Sequence, residues 1–316
     1  MRKYVSIAIT TLFVFAFGFA DAQSYTFRVL ANKGQNKVKK EGASAAVALK
    51  TGATLSSGDE LIASQGAYIG LMHKSGKTLE VRTPGTKKVT ELEKMVNTKT
   101  TSVSSRYAQF LASKMNEKEQ PGYRQRLNAT GAAKRALAGD ETIQVLLPAD
   151  AEQSTAIGNN AIVSWDTPEG MEMNTFIVTV KNIFDEEIMK EEVTGNSINL
   201  DFSSEQMQNE EGLYIIKVAA KENMDVTSGD IAIKKLSSEE AAQYQEGLST
   251  LKQEVSEDSP LNKVIYASFY EENGLIVDAL TAIEEAIRMN PEIEDFKVLK
   301  KDIIERNGIK VYKEEE

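Results

Sequence analysis

Ala161-Ile162-Val163-Ser164-Trp165, Phe176-Ile177-Val178-Thr179-Val180 and Tyr214-Ile215-Ile216-Lys217-Val218 decide the fold. In each run apolar residues recur at every second position, the period of a strand with one buried face. Shorter runs of the same kind flank them: Ile143-Gln144-Val145, Ile198-Asn199-Leu200 and Ile231-Ala232-Ile233. Turn signals separate the runs at Pro148, Gly158-Asn159-Asn160, Pro168-Glu169-Gly170 and Gly195-Asn196. Short strands at near-regular spacing predict an antiparallel β-sandwich over residues 141–236. Trp165 is the only tryptophan and is expected at its centre, facing Phe176 or Val178 and Tyr214.

These strands resemble a fibronectin type III or immunoglobulin-like domain, and the resemblance covers about a third of the chain. The chain has no cysteine, so the inter-sheet disulfide of antibody domains is excluded. A sandwich of this kind is a support and names no chemistry by itself.

The 316 residues leave room for two or three domains, and 41% hydrophobic content rules out wholesale disorder. Residues 1–22 stand apart. Arg2-Lys3, the apolar run from Val5 to Phe19 and Ala20-Asp21-Ala22 form the basic start, apolar middle and small-x-small end of a secretory leader. Cleavage before Gln23 predicts an exported protein, expected in a bacterial periplasm rather than at the cell surface or secreted. No later run approaches membrane-spanning length, so no stable span is expected after cleavage. The lack of cysteine removes lipid attachment at the cleavage site, thiol catalysis, thiolate metal sites and redox switching.

Charge is divided along the chain. Residues 23–138 carry 20 Lys/Arg against 8 Asp/Glu, a balance of +12, and residues 139–316 carry 15 against 38, or −23. With +1 from the leader, these give the −10 of the whole chain. Opposed fields imply docking or self-association, or simply solvated surfaces of different sign.

Between the leader and residue 95, alternating runs predict a small β domain. They begin at Tyr25-Thr26-Phe27-Arg28-Val29-Leu30 and continue through Ala67 to Met72, Thr78 to Arg82 and Thr86 to Leu92. Leu49, Gly52, Leu55, Gly58, Asp59, Leu71, Gly76, Leu79 and Val81 supply turn and core positions whose spacing resembles the FecR-type periplasmic domain. That resemblance spans about Tyr25 to Leu92 and implies a sheet-rich module that senses or relays state inside the envelope. FecR-type regulators join this module to a cytoplasmic partner through a membrane span. No such span follows here, so direct control of a sigma factor does not carry over.

Residues 96–140 read as helix and linker. Val103, Tyr107, Phe110, Leu111 and Met115 share one helix face before Gln120-Pro121-Gly122, and Tyr123 to Asp140 forms a basic, partly helical connector. Past the sandwich, Ser237-Ser238-Glu239-Glu240 is a capping box that starts a helix running to about Val255. Ser259-Pro260 starts the next, with Pro at the first helical position. Ala267, Tyr270, Gly274, Ala279, Ile283, Ala286 and Pro291 then fall at the offsets of a tetratricopeptide unit, and they resemble that family. The alanines let two antiparallel helices approach, Tyr270 and Ile283 fill the space between, and Gly274 permits the turn. A third helix is expected to close at Asn307-Gly308. One unit falls short of the three or so that a peptide-binding solenoid needs.

No catalytic constellation emerges. Gly70 to Thr78 lacks the glycine five residues before Gly76 that a phosphate loop requires, and a hairpin at Lys74-Ser75-Gly76-Lys77 is expected instead. His73 is the only histidine and reads as an exposed hairpin residue. Asp185-Glu186-Glu187, Glu191-Glu192, Asp201 and Glu210-Glu211 lack the register of a calcium loop. No nucleophile elbow occurs, and one tryptophan gives no sign of an aromatic sugar cleft.

The expected fold is therefore multidomain. A FecR-like β domain (23–95), a helix and linker (96–140) and an Ig/fibronectin-like sandwich (141–236) precede a tetratricopeptide-like all-α segment (237–310) and an acidic tail (311–316). The expected function is a non-enzymatic, exported scaffold or relay for protein–protein interactions in the cell envelope, with no cofactor and no nucleic-acid partner. The alternative is a module for an anionic envelope polymer such as peptidoglycan. Its contact candidates are Lys37, Lys39, Lys40, Lys74, Lys77, Lys87 and Lys88. Charged strand edges that resist unwanted pairing would use the same lysines.

Overall fold

A computed structural model describes residues 25–96, 103–119, 143–150, 152, 154–167, 173–207, 212–256, 258–309 and 311. The expected leader, the connector from Tyr123 to Asp140 and the last five residues of the tail lie outside these.

The N-terminal unit is two antiparallel sheets laid face to face. The first has the order β4-β1-β6-β7, from β1 (Phe27–Lys33), β4 (Thr54–Leu55), β6 (Tyr68–His73) and β7 (Thr78–Val81). The second has the order β3-β2-β5-β8, from β2 (Lys37–Lys39), β3 (Val47–Ala48), β5 (Glu60–Ala63) and β8 (Gly85–Lys88). Phe27, Val29, Leu55, Ile69 and Leu71 meet Val38, Leu61 and Ala63 between the sheets. β6 is buried along its whole length because its second face, with Tyr68 and Met72, meets a different core. Asp59 accepts the Ser56 and Glu41 amides at 2.8 and 3.1 Å, the side-chain support its Gly-Asp turn called for.

Two expectations change here. The run from Thr86 to Leu92 is strand only as far as Lys88, after which α1 (Val89–Met95) turns inward. Val89 and Leu92, one helical turn apart, both sink into the core, and the Val89 amide donates to the Asp59 carbonyl at 3.0 Å. His73 is buried at 2% exposure rather than displayed at a hairpin tip. Its ring lies edge-on to Phe27 at 5.3 Å, Nδ1 contacts the Ser75 hydroxyl at 2.8 Å, and Nε2 faces Glu93 at 3.5 Å. Phe27 on the neighbouring strand and Glu93 of α1 close the ring in.

The central unit has a sheet of order β14-β11-β9 and one of order β10-β16-β15-β12-β13. The first uses β9 (Gln144–Val145), β11 (Asn160–Asp166) and β14 (Ser197–Asp201). The second uses β10 (Thr155–Ala156), β12 (Thr175–Lys181), β13 (Glu187–Thr194), β15 (Gly212–Ala220) and β16 (Ile231–Lys235). Every pairing is antiparallel except β10 with β16. Trp165 is fully buried and edge-on to Phe176 at 5.3 Å. Tyr214 instead stacks on Phe202 and donates its hydroxyl to the Met207 carbonyl at 2.9 Å, because a buried phenol needs an acceptor.

The remaining helices are α2 (Val103–Glu119), α3 (Ser238–Glu254), α4 (Pro260–Glu272), α5 (Ile276–Met289) and α6 (Glu294–Arg306). Ser237 and Glu240 form both bonds of the capping box, and Ser259 caps α4 ahead of Pro260. Gly274 turns the chain at φ +75°, and the fully buried Ala279 and Ala286 lie on α5, which packs closely on α4. α4 also meets α2 and β7, α5 meets β10 and β11, and α6 meets β1. One apolar core therefore runs from Leu30, Tyr68 and Met72 through Phe269, Ile283 and Phe296 to Trp165 and Val178. The helices are packed between the two β units.

Gly76 is where the N-terminal unit touches α2. Its φ is +84°, and a Cβ there would fall on the Ser105 backbone. Gly76→Ala is expected to lower unfolding free energy by about 2 kcal/mol or more, read as a lower urea midpoint at unchanged slope.

Candidate interaction surfaces

The half-buried charged side chains sit at joints between units. Glu80 of β7 accepts the Tyr68 hydroxyl at 2.8 Å, the Ser259 hydroxyl, the Leu261 amide at 3.3 Å and the Arg82 guanidinium at 2.9 Å. Burial opposes its charge, yet the bonds from Ser259, Tyr68 and Arg82 outweigh burial and hold Glu80 below the usual carboxylate range. It thereby ties the first sheet to the start of α4. On α6, Asp295 accepts the Asn32 amide at 2.7 Å, and in the turn before it Glu292 pairs with Lys33. Glu254 at the end of α3 accepts the Val103 and Ser104 amides at 3.3 and 2.9 Å, capping α2 from outside.

Asp278 is the most enclosed of these groups. It stands in the first turn of α5 and accepts the Ile157 and Gly158 amides of the β10–β11 turn at 2.8 and 2.9 Å. A Cβ on Gly158 would collide with its Oδ1, so the close approach needs glycine. One turn on, Thr281 accepts the Ile162 amide at 3.0 Å, and Glu284 accepts the Ser164 hydroxyl at 2.8 Å while pairing with Lys300 of α6. Burial pushes the Asp278 carboxyl up to about 6, against the pull of the two amides and Lys235.

The structure divides the lysine candidates. Lys40 pairs with Asp59 and Lys74 with Glu93. Lys77 lines a cleft of about 330 Å³ with Glu254, Ser256 and Asn262, between the β6–β7 hairpin and the α3–α4 loop. Lys37, Lys39 and Lys88 come together on the outer face of the second sheet, where Lys39 opposes Glu60 and Glu60 opposes Lys88. Lys87 opposes buried Leu61 and so belongs to the other face. The tetratricopeptide-like positions meet as a packing set, with Ala267, Ala279, Ile283 and Ala286 buried, Tyr270 partly covered, Gly274 in the turn and Pro291 exposed after α5.

Sequence reading missed one surface. The β12–β13 hairpin tip displays Ile183 and Phe184 at 61% and 76% exposure. Asn182 fixes it by accepting the Phe184 and Glu186 amides at 2.9 and 3.1 Å, and Asp185 adopts φ +64° while pairing with Lys181. The available signal was an apolar pair enclosed by turn formers, Asn182 and Asp185. Among the described residues no group of three or more acidic or histidine side chains is placed to hold a metal ion, and no helix is long and apolar enough to cross a membrane. The chain matches no family model, and no curated protein matches it in sequence.

Asp278 sets a pH test. Its folded pKa lies above the ordinary value of 3.8, so the native state binds the proton more tightly. Its contribution is greatest below about 3.8 and is lost as pH rises through about 6. Relative to Asp278→Asn, the natural chain should lose about 3 kcal/mol of unfolding free energy between these limits, and parallel pH curves would refute this.

Proposed function

We propose that this is an exported, non-enzymatic scaffold or relay that binds other proteins of the bacterial cell envelope. The reading takes the central unit as Ig/fibronectin-like. Labelled A to G in chain order, β9-β11-β14 is A-B-E, and β16-β15-β12-β13 is G-F-C-C′, the division of such sandwiches. The Tyr214 hydroxyl bonded to an upstream backbone carbonyl at the start of F is the tyrosine corner of that fold. The N-terminal unit is taken as FecR-like on its turn and core spacing, and α4–α5 as one tetratricopeptide-like unit on their alanine contact. The leader-like first 22 residues support export.

One observation carries the reading most directly. The buried Asp278 and the half-buried Glu80, Glu284 and Asp295 use their bonds to join units, so rigid relative placement is what the polar interior secures. That is the requirement of a scaffold, whose partners must meet at a fixed spacing. A photocrosslinking amino acid placed at Phe184 and, separately, at Val298 on α6 tests it in intact cells. Discrete adducts with envelope proteins are expected from the sandwich–helix half. Recovery of the chain outside the envelope, or clean uncrosslinked protein from both positions, would reject the proposal.

A further inference from the structure

The geometry points to the outer face of the second N-terminal sheet as a binding surface for a polycarboxylate glycan, of which peptidoglycan with its stem-peptide carboxylates is the envelope form. The face is built by register. Lys39, Glu60 and Lys88 stand opposite one another on β2, β5 and β8, and Lys37 lies two residues from Lys39 on the same side. Adjacent strands are about 4.8 Å apart, so Lys39 and Lys88 are rooted about 10 Å apart, and Lys37 about 7 Å along the strand from Lys39. Ile62 and Thr86 complete the patch between them.

Two further observations favour a ligand. Three other lysines of this unit pair with carboxylates, Lys33 with Glu292, Lys40 with Asp59 and Lys74 with Glu93. Among the described residues, Lys37, Lys39 and Lys88 have no ion pair, and the face keeps a balance of three cations to one anion. Second, α4 and α6 pack on the first sheet, through Asp295 on β1, Leu261 against Gly70 of β6 and Ser259 on Glu80 of β7. Among the described residues, the lysine face is therefore turned away from α4 and α6.

Isolated carboxylates are favoured because the patch offers single ammonium groups as point charges and, among the described residues, no arginine fork for bidentate grip. Single ammonium groups at 7–10 Å spacing suit a polymer with isolated single charges, in a contact that is weak per site and additive along the chain.

The identity of the ligand rests on the exported reading. Binding is measured with purified components and location by cell fractionation, so the two can fail separately. The full chain is co-sedimented with purified sacculi at about 20 and 500 mM salt, where screening shortens the reach of charge several-fold. Retention is expected at low salt and loss at high salt. Lys37→Gln, Lys39→Gln and Lys88→Gln together should weaken retention about tenfold or more. The charge-matched control Lys190→Gln, Lys217→Gln and Lys297→Gln, all exposed on the sandwich and α6, should leave it within about twofold. Glu60→Gln should tighten binding, which a role in sheet packing alone would not produce. Lipopolysaccharide micelles, whose charges are phosphates, form the second arm. The proposal is overturned if the two triple variants fall equally, if Glu60→Gln has no effect, if lipopolysaccharide is preferred, or if the natural chain stays in the supernatant.

Discussion

Asp278 takes a carboxylate out of water to reach two backbone amides of the β10–β11 turn, and the placement of the sandwich depends on that reach. The turn amides cannot be left bare against a helix, since an orphaned buried donor costs about 1–3 kcal/mol. The carboxylate answers both at once, and the first helical turn, where amides point toward the N-terminus, is a favourable place for it. Burial still raises its pKa, so the joint is held with some electrostatic penalty remaining. Apolar contact brings α5 near β11, but these directional bonds fix which residue of the turn meets which turn of the helix.

The same arrangement recurs at smaller scale on the other side of the helices. Glu80 satisfies the start of α4, Asp295 reaches the end of β1, and Glu254 caps α2. Each bond joins residues far apart in sequence, and each lies where an apolar surface would otherwise leave a helix end or strand end unsatisfied. Continuous apolar packing supplies the adhesion, and the acids supply the register.

This explains what was legible beforehand. Strands around Trp165, the Ser237–Glu240 box, the Ser259-Pro260 start and the Gly274 turn are set by residues within a few positions of one another, so local pattern was enough. Lys37 and Lys39 could be placed on one face by counting alone. Adding Lys88, and removing Lys87, required the β5 register, which no local rule supplies. Asp278 and Glu80 carry no local sign of their roles, because the backbone amides they accept come from more than a hundred residues away. His73 was misjudged for a related reason. Its hairpin was foreseen, but its packing on Phe27 and the approach of α1 through Glu93 were not.

The packing also limits where partners can bind. α4 is covered by α2 and β7 on one side and by α5 on the other, with Tyr107 edge-on to Phe269 at 5.0 Å. The face of α4 turned away from α5 is thus occupied by the chain's own α2, fixed by Glu254 and by the Arg106–Glu272 pair. Partners are left the outside of the assembly, of which the lysine sheet face and the Ile183–Phe184 tip are the two most distinctive parts. Their chemistry is opposite, one cationic and the other apolar. Because both belong to units locked to the same helices, two ligands bound at once would be held at a distance set by the fold.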